Sequence, residues 1–330
     1  MLFVFFGIIA VTVIFFSIKC AYYLDIIEAR TNLSGIFLSG IILAGITSLP
    51  ELVTSISAIS FLDSPELVLG NILGSNIFNL TVLGFLILTF FKKFLESKLD
   101  RNHNKTIYLL IIIYLLILIK MQFNLNLTII NVDVISILIL LFYIFALKYM
   151  SSNDSAEEDD NKLKNSTITN TKPIDIKSTL IKFIFMSMGL VISSILITIV
   201  TDKIASTTNI GSTMAGAILL GITTSIPEVV TCLTLCKLSN FNAAFGNMLG
   251  SNIFNYVIIT IGDILYVKGS IYITDKQSYK LTIFGLVSTI LSLIILNSKI
   301  KTENKSSATK LTYVISSTFI LASYLLFIFL

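Results

Sequence analysis

Ten long apolar stretches follow one another along the 330-residue chain, and no other feature constrains its fold as much. They lie at roughly 2–23, 33–61, 66–91, 106–122, 127–149, 178–200, 210–236, 241–267, 280–297 and 310–330. Most come close to the ~20 residues that a helix needs to cross the hydrocarbon core of a bilayer. The runs are continuous rather than alternating, which excludes a membrane β-barrel. Charge is scarce: 13% of residues are charged, against about 25% in soluble domains, and the mean hydropathy is +0.91. The first stretch is too long for a removed signal peptide and lacks a small-residue cleavage site, so it reads as a retained span.

Lys and Arg orient the spans, because they concentrate on the cytoplasmic side. With the N-terminus outside, inner loops and inner helix ends hold 18 of the 23 basic residues, and outer ones hold 5. Both termini are therefore expected outside a plasma membrane, with the polar segment 150–177 inside. That segment carries Glu157, Glu158, Asp159 and Asp160 in a row and reads as a solvated tether between two halves. The expected domains are 1–149, the linker 150–177, and 178–330.

The side chains also limit the chemistry. The one histidine, His103, is expected in a charged loop, and Cys20, Cys232 and Cys236 form no disulfide or zinc pattern. Haem binding, zinc hydrolysis and Ser-His-Asp catalysis lack a histidine inside the membrane. No enzyme activity, resident cofactor, nucleic-acid partner or obligatory protein partner is expected; the lipid bilayer is the surrounding partner.

The chain contains an internal repeat. Ile46-Thr47-Ser48-Leu49-Pro50-Glu51 is followed by Gly70-Asn71-Ile72-Leu73-Gly74-Ser75-Asn76-Ile77-Phe78-Asn79. Thr223-Thr224-Ser225-Ile226-Pro227-Glu228 is followed by Gly246-Asn247-Met248-Leu249-Gly250-Ser251-Asn252-Ile253-Phe254-Asn255. The ten-residue blocks differ only at their third position, so they record a duplication. Five spans per half is an odd number, so the two copies must cross the bilayer in opposite directions. The fold class expected is therefore all-α integral membrane, with ten transmembrane helices in two inverted five-helix repeats. Transporters of that architecture place their site at the midplane, where the copies meet.

Glu51 and Glu228 fall inside apolar spans. An ionisable group at that depth marks an ion or proton pathway. No basic residue lies near either in sequence, so the economical counter-charge is a bound cation. Thr47 and Ser48 precede Glu51 by four and three residues and share its helical face, as Thr224 and Ser225 do for Glu228. Ser75 with Asn79, and Ser251 with Asn255, are further i, i+4 pairs. These oxygen donors suit Ca²⁺ and Na⁺ better than soft metals. Pro50 and Pro227 cannot donate to the carbonyls of Ile46 and Thr223 and should free backbone oxygens there. Gly74-Ser75 and Gly250-Ser251 are expected to break their helices and allow close approach. Alternatively, Ser75 and Ser251 bond back to their own helices. Gly70 and Gly246 read as packing contacts and Cys232 as a packed thiol. Asp133 and Asp263, near helix ends, read as solvated at the interface.

Together, TSLPE and TTSIPE, each followed by GNxLGSNIFN, resemble the two α-repeats of the sodium/calcium exchanger branch of the cation/Ca²⁺ antiporter superfamily. The short linker looks like that of prokaryotic members. The resemblance implies an antiporter exchanging Na⁺ for Ca²⁺ by alternating access, with one midplane Ca²⁺ site flanked by Na⁺ sites. The motifs would run over 44–79 and 221–255. Glu51 and Glu228 would supply shared carboxylates, and Thr47 and Thr224 backbone oxygens. Ser48, Ser75, Ser225 and Ser251, with carbonyls at Ala44 and Gly221, would serve Na⁺. Asn79 and Asn255 would close the middle, while the first and sixth spans slide across the core. Two positions depart from the family pattern: Ile46 and Thr223 stand where Gly is usual. Asn255 stands where many prokaryotic and K⁺-dependent members carry Asp. Alternatives are an H⁺/Ca²⁺ or K⁺-dependent antiporter and, in a different class, a passive cation channel.

Overall fold

A computed structural model describes residues 1–31, 47–125, 127–151, 176–272, 275–301 and 306–329. The described chain is almost wholly helical, as expected where no water can satisfy exposed backbone. Helix α1 (Leu2–Thr31) is followed by α2 (Leu49–Leu62), α3 (Pro65–Thr89), the short α4 (Phe91–Glu96) and α5 (His103–Phe123). A hairpin of β1 (Thr128–Ile129) and β2 (Val132–Asp133) leads into α6 (Val134–Ser151). The remainder comprises α7 (Ile176–Thr208), the interrupted α8 (Ser212–Thr224), α9 (Ile226–Lys237), α10 (Phe241–Leu265), α11 (Lys276–Lys301) and α12 (Ser307–Phe329).

Seven described helices are long and apolar enough to cross a membrane, and the bent pair α8–α9 would make an eighth. Leu49–Leu62 and Val134–Phe145 are shorter apolar helices. The first half of the expected second span and most of the 150–177 linker lie outside the described residues. Burial sorts the helices into layers. In α3 and α10 the apolar window is 72% and 78% buried, against 11% in α1. Helices α3 and α10 therefore form the centre. Helix α1 packs along α7 at the periphery, and Phe3, Phe5, Phe185 and Met188 point outward. A membrane protein wears its apolar side chains on both faces in this way.

Two breaks shape the interior. Ser225 has φ −86° and ψ 1°, and the helix axis turns by 48° there. Ser48 holds nearly the same conformation, φ −93° and ψ 16°, immediately before α2. Pro227 and Pro50 are each the second residue of the helix that follows, where a missing N–H leaves no bond unmade. The expected breaks at Gly74-Ser75 and Gly250-Ser251 do not occur, because α3 and α10 run through both positions unbroken. No proline removes a backbone bond there. What Gly74 supplies is proximity: a Cβ on it would sit 2.5 Å from Ala217 Cα, and one on Gly70 would sit 2.1 Å from Thr213 O. The backbones of α3 and α8 touch.

Within α8, Gly216–Leu220 winds as a π-helix, closed by the Gly221 N–H donating to Gly216 O. Such single wide turns occur mostly at functional sites, and nothing in the apolar periodicity announced this one.

A candidate cation site

Glu51 and Glu228 sit one turn after the two breaks, and each is 1% exposed. Their surroundings are reciprocal. Ser48 Oγ donates to Glu228 Oε1 at 3.3 Å, and Ser225 Oγ donates to Glu51 Oε1 at 3.2 Å. Each serine at a break thus reaches across to the carboxylate that follows the other break. The second carboxylate oxygens, Glu51 Oε2 and Glu228 Oε2, are buried and meet no hydrogen-bond donor among the described residues. The described ion pairs, Lys120–Asp133 and Lys268–Asp63, leave both out.

The other expected site residues among the described residues are buried as well. Thr47 and Thr224 are buried. Thr224 Oγ1 donates to Leu220 O at 2.9 Å and to Asn71 Oδ1 at 3.4 Å. Ser75 Oγ crosses to Gly221 O at 3.2 Å rather than bonding back to its own helix. Ser251 Oγ is buried with no hydrogen-bond partner among the described residues. Ala44 and Ile46 lie outside the described residues.

The asparagines tie α3 to α10. Asn76 Nδ2 donates to Asn252 O at 3.3 Å, and Asn252 Nδ2 donates to Asn76 O at 3.0 Å. Asn79 Nδ2 donates to Asn252 Oδ1, and Asn255 Nδ2 to Asn76 Oδ1, both at 2.9 Å. Sequence reasoning passed over Asn76 and Asn252, and also Asn71. The Asn71 amide reaches Thr54 Oγ1 at 2.9 Å, Ser55 Oγ at 3.2 Å and Glu51 O at 3.4 Å. The signal was available, since all three belong to the duplicated ten-residue block.

The donor set is carboxylate, hydroxyl and amide oxygen. These are hard ligands that fit Ca²⁺ or Na⁺. A buried acceptor without a donor is costly, and a cation among Glu51 Oε2, Glu228 Oε2 and the neighbouring hydroxyls would relieve that cost. The residues therefore fit a cation on chemistry alone.

A second polar cluster corrects an expectation. Asp133 and Asp263 are not solvated; each is 2% exposed. Lys120, equally buried, forms an ion pair with Asp133 and donates to Leu125 O at 2.7 Å. The Asp133 N–H donates to Asp263 Oδ2 at 2.8 Å. The β-hairpin turns through Ile130 and Asn131, both at positive φ, and swings Asp133 inward over these partners. Asp263 lies about 18 Å beyond Ser251 along α10. His103, expected in a loop, instead opens α5, where its Nε2 meets Asn242 Oδ1 at 2.9 Å. Cys232 is buried, as a packed thiol should be.

Comparison with known proteins bears on this arrangement. The chain is 27% identical over 274 residues to the uncharacterized membrane protein MJ0091 of Methanocaldococcus jannaschii, covering 83% of each. Its fold resembles the H⁺/Ca²⁺ exchanger CAX at TM-score 0.64 and 12% identity, over 97% of this chain and 87% of that one. It resembles native YfkE at TM-score 0.69 and 16% identity, over 99% and 91%. The sodium-calcium exchanger NCX_Mj, soaked with 10 mM Na⁺ and zero Ca²⁺, gives TM-score 0.58 and 20% identity over 99% and 98%. The family model described as sodium/calcium exchanger protein matches residues 1–151 and 177–330, and the chain belongs to that family.

Proposed function

We propose that this chain is a secondary antiporter that moves Ca²⁺ against Na⁺ by alternating access through a midplane site. The observation that carries the reading is the reciprocal pair Ser48–Glu228 and Ser225–Glu51, with one oxygen of each carboxylate buried and without a donor. Two carboxylates carry about two negative charges when ionised. One Ca²⁺ neutralises them, and so do two Na⁺. Holding both loads together would bury excess charge at heavy cost, so the loads displace each other, and displacement is what antiport requires. In this reading Glu51 and Glu228 are shared by both ions, with Thr47 and Thr224 completing the Ca²⁺ site. Ser48, Ser75, Ser225, Ser251, Ala44 and Gly221 serve Na⁺, and Asn79 and Asn255 close the centre.

The proposed topology has ten spans in two inverted repeats, with both termini outside and the linker inside. Helices α2 and α6 and the bent pair α8–α9 contribute to the three spans beyond the seven long helices. If three Na⁺ exchange for one Ca²⁺, one net charge crosses per cycle, and 100 mV contributes roughly 2.3 kcal/mol toward Ca²⁺ movement.

The test is Ca²⁺ flux into proteoliposomes under an imposed Na⁺ gradient with pH clamped, then with K⁺ or H⁺ in place of Na⁺. Na⁺-driven flux is expected, and Glu51→Gln or Glu228→Gln should abolish it while the protein stays folded. Flux driven only by a proton gradient would replace Na⁺ by H⁺. Flux indifferent to any counter-ion would indicate a channel.

A further inference from the structure

The orientations of the four asparagine amides in α3 and α10 follow from one another. A backbone carbonyl can only accept a hydrogen bond. Asn76 must therefore turn Nδ2 to Asn252 O, and Asn252 must turn Nδ2 to Asn76 O. Their Oδ1 atoms are then acceptors, and the atoms they meet must be donors. Asn255 consequently presents Nδ2 to Asn76 Oδ1, and Asn79 presents Nδ2 to Asn252 Oδ1. With those nitrogens engaged, Asn79 and Asn255 turn Oδ1 the other way. Both Oδ1 atoms are buried, both side chains are 1% exposed, and no donor among the described residues reaches either oxygen.

We propose that Asn76 and Asn252 are positioning residues, which fix the amides of Asn255 and Asn79 so that carbonyl oxygen and not N–H faces the transported cation. The inference rests on the reading above that Asn79 and Asn255 border the ion. A flipped amide would turn two N–H dipoles toward the cation and replace attraction by repulsion. The reciprocal bonds to main-chain carbonyls also make the two pairs one unit, so both oxygens are set together.

A double-mutant cycle on the full-length protein in detergent tests this. The readout is the half-saturating Na⁺ or Ca²⁺ concentration for thermal stabilisation, since an ion that binds only the folded state raises its melting temperature. Asn255→Ala and Asn76→Ala should each raise that concentration about tenfold, as loss of one hydrogen-bonding partner does. Because Asn76 acts through Asn255, the double variant should be no worse than Asn255→Ala alone. By the symmetry of the two pairs, Asn252→Ala should also raise it about tenfold, and should add nothing in an Asn79→Ala background.

Multiplying losses, near a hundredfold in the double variant, would overturn the proposal. So would a lowered melting temperature without ions but unchanged half-saturation in Asn76→Ala, which marks a mere clamp. Should Asn76→Ala fail to fold, the mirror pair Asn252→Ala and Asn79→Ala carries the test, and multiplying losses there overturn it. Glu228→Gln separates the two levels. Ion stabilisation absent from the unaltered protein sinks the site reading and the proposal together. Stabilisation present there, abolished in Glu228→Gln and unaffected by Asn76→Ala sinks the positioning role alone.

Discussion

Replacing Gly70 by alanine would force apart the two backbones on which the site is built. The new Cβ would lie 2.1 Å from Thr213 O, 2.9 Å from Thr213 C and 3.0 Å from Ala217 N, all main-chain atoms of α8. Ordinary van der Waals contact begins near 3.4 Å, and no side-chain rotation can relieve a clash with backbone. Helices α3 and α8 must then separate by roughly 1 Å, which is overpacking of the kind that costs about 1–3 kcal/mol. The Ser75–Gly221 bond, now 3.2 Å, would stretch past hydrogen-bonding distance. A displacement of about 1 Å at a working site can cost about a hundredfold in rate. Gly70→Ala should therefore lower the melting temperature by several degrees and cut Ca²⁺ flux in proteoliposomes by one to two orders of magnitude. Gly7→Ala is the control, because a Cβ there meets nothing within 4 Å, and it should stay within about 0.5 kcal/mol. If Gly70→Ala melts and transports like the unaltered protein, the close approach is not needed and the reasoning fails.

Lys120→Met should destabilise by about 3–5 kcal/mol by leaving Asp133 buried and uncompensated. Adding Asp133→Asn should restore most of that loss in thermal unfolding, and an equally unstable double variant would argue that Lys120 acts through packing. Asn255→Asp removes the donor to Asn76 Oδ1 and adds a charge, so the dependence of exchange on Na⁺, K⁺ and H⁺ should change; unaltered dependence would exclude Asn255 from the site. Cys20, Cys232 and Cys236 are buried free thiols, so a maleimide should label the folded protein slowly and the denatured protein at all three, as read by mass. Asp63→Asn breaks an ion pair exposed at both ends, Lys268–Asp63 at 2.8 Å, and should shift stability by less than about 1 kcal/mol; a larger loss would show that the contact fastens the end of α2.

The helical stretches were legible because the bilayer imposes length and apolarity on each one locally. The break at Ser225 was legible because Pro227 declares it two residues later. The glutamates were legible because a carboxylate in an apolar run has few bland explanations. Partners distant in sequence were not. Asn76 and Asn252 meet across 176 positions, and only the packing of α3 on α10 reveals which amide faces which carbonyl. Gly74 was read as a break although glycine without proline leaves the hydrogen-bond ladder intact; its missing side chain serves α8 instead. The partner of Lys120 was equally hidden, because only the hairpin carries Asp133 to it.

The wide turn in α8 carries a consequence for chain length. Gly216 and Gly221 both lie against α3: a Cβ on the first would meet Leu67 O at 2.6 Å, and one on the second would meet Ser75 N at 2.9 Å. Residues five apart on a regular α-helix point about 140° away from each other, so only the wider winding lets both do so. Winding the same residues at regular pitch would swing Thr224 and Ser225 by roughly a quarter of a turn relative to the segment before them. Removing one residue together with the wide turn would leave their direction nearly unchanged, so descendants of this gene could shed a codon here with less disturbance than in a regular turn of α8.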